Sequence, residues 1–277
     1  MSLLTSCFDR VYIISCRHRW ARREALKRDL DRLGLADVSK VKIVVGIDGR
    51  AVGAPDFWTS GEGAWGCYQA HRRIIEDILN GSAGEGYLEK PIRNYLVLED
   101  DAYFLDASKK LINNFLASVP ADWDQIYLGG QHTVRPEFTH IEGVLRGRSI
   151  NRTHAYAVNE KCFKEFYAHL NNFRYYTDNI AKHVDHHLET AHRSRLWNVY
   201  CPRKFPVGQR AGHSDIRRGE KSNRRFWNRQ GKPVKHSPTP AEVKAYYHER
   251  VNAGSVFAAL TRKWDIPEHL KSALNTI

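Results

Sequence analysis

Arg10–Ser15 (RVYIIS) and residues 40–46 (KVKIVVG) are short runs dominated by β-branched residues, and both read as strands. Between them, residues 19–33 set Trp20, Ala25, Leu26, Leu30 and Leu33 at helical spacing. A strand, a helix and a second strand in direct succession leave few folding options. Two strands joined by a crossover helix lie parallel, so the expected class is α/β with a mostly parallel central sheet.

The rest of the chain continues this alternation. Asp48-Gly49 marks a turn, and residues 51–66, rich in Gly and Trp, read as loop. Residues 66–79 are expected to be helical and carry His71. Residues 80–93 hold three glycines and Pro91, as a surface insertion would. A third strand at 95–98 runs straight into Glu99-Asp100-Asp101. A helix at 105–116, strands at 124–128 and 153–158, and helices near 161–170 and at Val184–Arg193 complete the pattern. Internal repeats are not detected.

Composition changes after Asp215. Residues 217–235 contain Arg217, Arg218, Lys221, Arg224, Arg225, Arg229, Lys232 and Lys235 against the single acid Glu220, and read as an exposed arm. Thr239-Pro240-Ala241-Glu242 then supplies a helix start, with Thr239 as cap, Pro240 in the first turn and Glu242 closing a capping box. The expected organisation is a domain over 1–216, a basic arm over 217–238 and a small helical appendage over 239–277.

Bulk properties narrow the function classes. With 277 residues and 42% hydrophobic content, the chain can fill a sizeable core. Its apolar runs are strand-length, far from the roughly 18 residues of a membrane span. Residues 1–10 lack the pattern of a secretory signal. Five scattered cysteines, with no CxxC pair, point to a reducing cytoplasmic setting rather than a disulfide framework or a cysteine zinc site. A net charge of +12 favours nucleic acid, an anionic membrane surface or phosphorylated substrates as partners.

Three consecutive acids behind a buried strand call for a reason, because desolvating a carboxylate without a partner costs several kcal/mol. At the C-terminal edge of a strand in an open α/β sheet they face the crevice where ligands bind. Residues two apart on an extended chain share a side, so Glu99 and Asp101 are expected to point together. Such a pair suits a hard divalent cation, Mg²⁺ or Mn²⁺. The alternative is a solvated turn or a helix cap made by Asp101 or Asp106. His183 and His187 stand four apart, a spacing able to hold zinc, but the sequence shows neither a third ligand nor an HExxH motif, and a solvated helix face is favoured.

Eight segments, in order, resemble glycosyltransferase family 25, the lipopolysaccharide-biosynthesis type of GT-A enzyme. They are VYIIS at 11–15, GIDGR at 46–50, GCYQAH at 66–71, LVLEDDA at 96–102, IYLGG at 126–130, HAYAVNEKCF at 154–163, VDHHL at 184–188 and FPVGQRAGHSDI at 205–216. Where the family carries an Asn-Leu-Asp-Arg type sequence after its first strand, this chain has Ser15-Cys16-Arg17-His18. The resemblance implies a GT-A-like nucleotide-sugar-binding domain and a donor of the UDP-sugar kind. It implies Mn²⁺ or Mg²⁺ held by Asp101 with Glu99, and His213 as a late ligand. It further implies a nucleotide held by backbone around Tyr12, Ile13 and Ser15 and by Asp48, with Asp100 and Gln209 touching the donor.

Glycosyl transfer needs a base for the acceptor hydroxyl and a Lewis acid for the leaving diphosphate. Asp185, at a helix start, is the expected base, its alternative role being a helix cap. His71 is the expected second polar group of the pocket, its alternative a core histidine bonded to backbone.

The resemblance ends near Ile216. Beyond it, Phe226 and Trp227 interleave with arginines, an arrangement able to grip phosphates and stack bases through Arg217, Arg218, Arg224, Arg225, Trp227 and Arg229. Residues 256–274 place Phe257, Leu260 and Trp264 on one helix, a short turn at Asp265-Ile266-Pro267, and a second helix from Glu268, in the manner of a helix-turn-helix unit. The expected acceptor is a hydroxymethylated base in DNA, of the kind some bacteriophages make, and the expected location is cytoplasmic, the bacterial host cytosol if the chain is phage-encoded. A lipopolysaccharide or capsule glycan is the alternative acceptor, and a DNA-binding protein with a degenerate transferase domain the alternative class.

Overall fold

The computed structural model describes residues 3–35, 37–81, 91–172, 183–210, 212–214 and 219–221. The chain partitions into two units, Met1–Lys235 and His236–Ile277, and every described residue belongs to the first. The helical appendage expected over 239–277 therefore lies outside the described residues.

The strands are β1 (Arg10–Ser15), β2 (Val41–Val45), β3 (Asn94–Glu99), β4 (Ala102–Phe104), β5 (Gln125–His132), β6 (Glu137–Phe138), β7 (Val144–Arg146), β8 (Ile150–Asn159), β9 (Val199–Pro202), β10 (Val207–Gln209), β11 (Gly212–Ser214) and β12 (Gly219–Lys221). Eight of them form one sheet in the order β2-β1-β3-β8-β5-β9-β7-β6. β1 runs parallel to β2 and β3, and β5 parallel to β9. β8 opposes β3 and β5, and β7 opposes β9 and β6. Following these pairings, only β7 and β8 run against the other strands. The fold is α/β with a mostly parallel central sheet, as expected, into which β8 inserts an antiparallel strand.

Seven helices accompany the sheet among the described residues: α1 (Leu3–Cys7), α2 (Trp20–Leu33), α3 (Gly49–Val52), α4 (Glu62–Leu79), α5 (Ser108–Ser118), α6 (Phe163–Asn171) and α7 (Val184–Arg193). None is long and apolar enough to cross a membrane. Strand side chains alternate between two cores. Tyr12, Ile14, Tyr95, Val97, Tyr127 and Tyr156 pack with α4, α6 and α7. Val11, Ile13, Leu96, Leu98, Ile126 and Leu128 pack with α1, α2 and α5. Both faces are covered, which explains why β1 is buried along its whole length and carries no polar alternation.

Several boundaries differ from expectation. The buried stripe of α2 is Leu26, Leu30 and Leu33, while Trp20 is 65% exposed at its first turn. The segment read as loop over 51–66 contains the end of α3 and the first turn of α4. β5 continues through Gly129-Gly130, where β8 crosses so close that a Cβ at Gly129 would lie 2.3 Å from His154 Nε2. Gly219–Lys221 of the expected arm pairs with Gly212–Ser214 as a small antiparallel ribbon.

Candidate active site

The carboxyl ends of β1, β2 and β3 open onto a cavity of about 680 Å³, the place where open α/β sheets bind ligands. Two glycines shape its wall. A Cβ at Gly49 would lie 1.7 Å from the Glu62 carbonyl oxygen, and one at Gly66 would lie 2.2 Å from that of Ile47. This close approach presses the segment after β2 onto α4, bringing Asp48 to the rim. Asp48 caps α3, its Oδ1 accepting the Arg50 N–H at 3.0 Å.

The three acids separate. Glu99 is the last residue of β3, whereas Asp100 and Asp101 occupy a turn before β4. The alternation expected of an extended strand therefore does not carry through to Asp101. Asp100 is buried, and its Oδ2 accepts the Ser15 hydroxyl at 2.6 Å while Arg22 lies 3.6 Å from Oδ1. Burial raises the Asp100 carboxyl, against the opposing pull of Ser15, Arg22 and Arg19. Arg23 Nη1 donates to Ser15 Oγ and to the Cys16 carbonyl at 3.1 and 2.6 Å, so α2 clamps the end of β1. Asp101 lines the cavity, and its carbonyl accepts the Arg210 N–H at 2.6 Å.

Glu99 faces α4 and β8. Its Oε1 accepts the Thr153 hydroxyl at 2.7 Å and lies 3.4 Å from His71 Nε2. Burial pushes this carboxyl upward, but His71 and Thr153 outweigh it and hold the group at about 2. His71 is fully buried behind Glu99, with Nδ1 3.0 Å from the Tyr156 hydroxyl. It stands beneath the cavity rather than in its lining. Cys67, one turn before His71 on α4, does line the cavity. Ligand-capable atoms of Cys67, His71 and Glu99 all lie within 4.8 Å of one another, the one such group of three among the described residues. The sequence signal was the four-residue spacing of Cys67 and His71; a search for paired cysteines passes over it.

Asp185 lies in the first turn of α7, across the cavity. Its Oδ1 accepts the His186 N–H at 2.9 Å and its Oδ2 the Arg152 N–H at 3.3 Å. Arg152 carries φ of 78°, a left-handed conformation costly for a side chain with a Cβ and often found at functional sites. Arg17, Arg19, Arg22, Arg50, Arg152 and Arg210 all line the same space.

The structure thus brings together Ser15, Asp48, Glu99, Asp100, Asp101, Asp185 and Gln209. The side chains of Tyr12 and Ile13 are buried within β1 on opposite faces of the sheet, so at the cavity end of β1 these two residues offer backbone rather than side chain. His213 is described only as part of β11, and Arg217, Arg218, Arg224, Arg225, Trp227 and Arg229 lie outside the described residues. His187 turns into the core, its ring 4.1 Å from that of His169, while His183 lines the cavity, so this pair does not share a ligand face.

The residues fit a hard cation at Asp101 by donor chemistry, since its carboxylate lines the cavity beside those of Glu99 and Asp100. The pairing of β10 with β4, Gln209 against Ala102, also brings the strand preceding His213 alongside Asp101.

No protein-family model matches the chain. Over 142 residues, 44% of this chain, it is 28% identical to procollagen galactosyltransferase 1-B of Xenopus laevis, and the match spans about a fifth of that protein's length (21%). Among solved structures it is similar to mannose-1-phosphate geranyltransferase from Thermus thermophilus, with 11% identity and a TM-score of 0.38, covering 69% of this chain and 72% of that one. It is also similar to a glycosyltransferase involved in glycosylation of the major capsid of PBCV-1, with 14% identity and a TM-score of 0.30, covering 58% and 67% of the two chains.

Proposed function

We propose that the chain is a GT-A-type glycosyltransferase that moves a sugar from a nucleotide-sugar, of the UDP kind, to an acceptor hydroxyl. The observation that carries this reading is a single cavity at the carboxyl ends of β1, β2 and β3 that joins Asp101, Asp185 and six arginines. The partial match to a galactosyltransferase supports it.

The arginines bind and orient the donor diphosphate, for which guanidinium groups offer paired donors. Asp101 would hold Mn²⁺ or Mg²⁺, with His213 as a further ligand position, Glu99 being engaged by Thr153 and His71. Such an ion would supply charge neutralisation for the departing nucleotide. Asp185, fixed by two backbone N–H groups, takes the acceptor proton as the acceptor oxygen bonds to the anomeric carbon. The bond from that carbon to the diphosphate breaks, its electron pair leaving with the nucleotide. A carboxylate base opposite the leaving group gives inversion. Asp100, already held by Ser15 and Arg22, supports the nucleotide end of the site.

For the acceptor we propose a hydroxymethylated base in DNA, on the strength of the +12 charge and the run of arginines from Arg217 to Arg229. The five free cysteines suit a reducing cytosol, that of an infected bacterium if the chain is phage-encoded.

The test is a calorimetric screen of nucleotide-sugars with Mn²⁺, then incubation with hydroxymethylated and plain duplex DNA and mass spectrometry of the nucleosides. The expected result is donor binding that Asp101→Ala weakens at least tenfold, and a hexose or pentose mass on the modified base. DNA affinity should fall steeply with salt. Donor turnover without DNA binding at low salt moves the acceptor to a lipopolysaccharide or capsule glycan. DNA binding without affinity for any nucleotide-sugar returns the chain to a non-catalytic DNA-binding class.

A further inference from the structure

Glu99 turns Oε1 toward α4, where His71 Nε2 lies 3.4 Å away. The neighbours there are a nitrogen and a sulfur. Helical geometry puts Cys67 and His71 on one face, four residues apart, and the end of β3 meets that face. His71 Nε2 is fully buried and makes no hydrogen bond, yet it aims at Glu99 Oε1 from 3.4 Å.

We propose that Cys67 Sγ, His71 Nε2 and Glu99 Oε1 form a binding site for a divalent ion of the zinc class, with its open position facing the cavity. One thiolate, one imidazole and one carboxylate make a borderline donor set, distinct from the hard-oxygen set at Asp101. Tetrahedral zinc, with bonds of about 2.0–2.3 Å, spaces its ligand atoms about 3.3–3.8 Å apart. The His71–Glu99 separation of 3.4 Å already meets this, and the three ligand atoms lie within 4.8 Å, so a small rotation of Cys67 closes the set.

The surrounding groups hold these ligands in place. The Tyr156 hydroxyl, 3.0 Å from His71 Nδ1, fixes the ring and leaves Nε2 to the metal. The Thr153 hydroxyl orients the Glu99 carboxylate at 2.7 Å. Cys67 and Glu99 line the cavity while His71 backs it, so the fourth position faces the space where a donor or water stands. On binding, the Cys67 thiol loses its proton to solvent and the sulfur lone pair forms the metal bond. The site does not depend on the transferase reading.

The full-length protein, stripped with chelator under reducing conditions, is titrated with Zn²⁺ and, separately, with Co²⁺. Bound metal is measured by mass spectrometry and the thiolate-to-cobalt charge-transfer band by absorption. The expected result is one equivalent of metal and a band that Cys67→Ser abolishes, with His71→Ala weakening Zn²⁺ affinity at least tenfold. Asp101→Ala retains the band, which separates this site from the donor site. Circular dichroism and the metal-free melting temperature confirm that each variant folds, and Cys67→Ala serves if the serine variant does not. A band that persists in the folded Cys67 variant, or unchanged Zn²⁺ affinity in His71→Ala, overturns the proposal and leaves His71 and Glu99 as an ion pair.

Discussion

Asp185 combines exposure to the cavity with a fixed orientation. One carboxylate oxygen is held by its own helix and the other by the backbone of Arg152, a residue kept in a left-handed conformation. Asparagine at this position keeps the shape and an acceptor oxygen but cannot take a proton. Asp185→Asn is therefore expected to lower transfer by about 10²–10⁴-fold while the donor dissociation constant changes only severalfold. Steady-state kinetics beside calorimetry on the same protein checks this, and parental turnover would remove Asp185 from the reaction. The neighbouring acids show how differently equal side chains behave. Asp100 is held by Ser15 beneath an arginine, Glu99 is engaged by Thr153 and His71, and Asp101 stands in the turn.

At the scale of elements, the cavity depends on a contact between glycines. Alanine at Gly66 would place a methyl group 2.2 Å from the Ile47 carbonyl, and backbone cannot swing aside as a long side chain can. Gly66→Ala is expected to cost about 1–3 kcal/mol of stability and to weaken donor binding, because it pushes Asp48 off the rim. Urea unfolding and donor titration measure the two effects; an unchanged midpoint would mean that the wall yields freely. The large elements were legible in the sequence because burial on both faces leaves unbroken apolar strands, and because α4 and α7 keep one apolar face. β4, β6, β7 and β10 were not, since two or three residues carry no periodicity. The expectation that Glu99 and Asp101 share a side rested on strand alternation, although both acids do line the cavity. It required extended chain where the structure has a turn. The site was legible as a carboxylate cluster facing Asp185, but Cys67 was not, because its partners are a helix turn and a strand away.

The whole molecule carries an unusual load of buried imidazoles. Burial lowers His132, His154 and His169 to about 4 and His192 to about 3, and drives His187 well below its ordinary value. Unfolded, these rings bind protons as the pH drops through about 6.5, whereas folded they stay neutral until about 4. Stability is therefore present above pH 6.5 and is lost between 6.5 and 4, at about 1.4 kcal/mol per pH unit for each ring. Urea unfolding at pH 7, 6 and 5 should show a slope of several protons, and equal stability at pH 7 and 5 would mean that these rings are not kept neutral. Glu99, held at about 2, adds a separate loss below its ordinary value near 4.5. A consequence of another kind follows from the pairing of β10 with β4. Gln209 lies against Ala102 and the Arg210 N–H against the Asp101 carbonyl, so the chain departs for its basic quarter from the cavity rim. By contour alone, no residue up to Lys235 can lie farther than about 90 Å from Arg210 at the rim. An acceptor held by the arginines of that run, as proposed for DNA, would meet the site at an effective concentration set by the length of the connecting chain rather than by its concentration in solution.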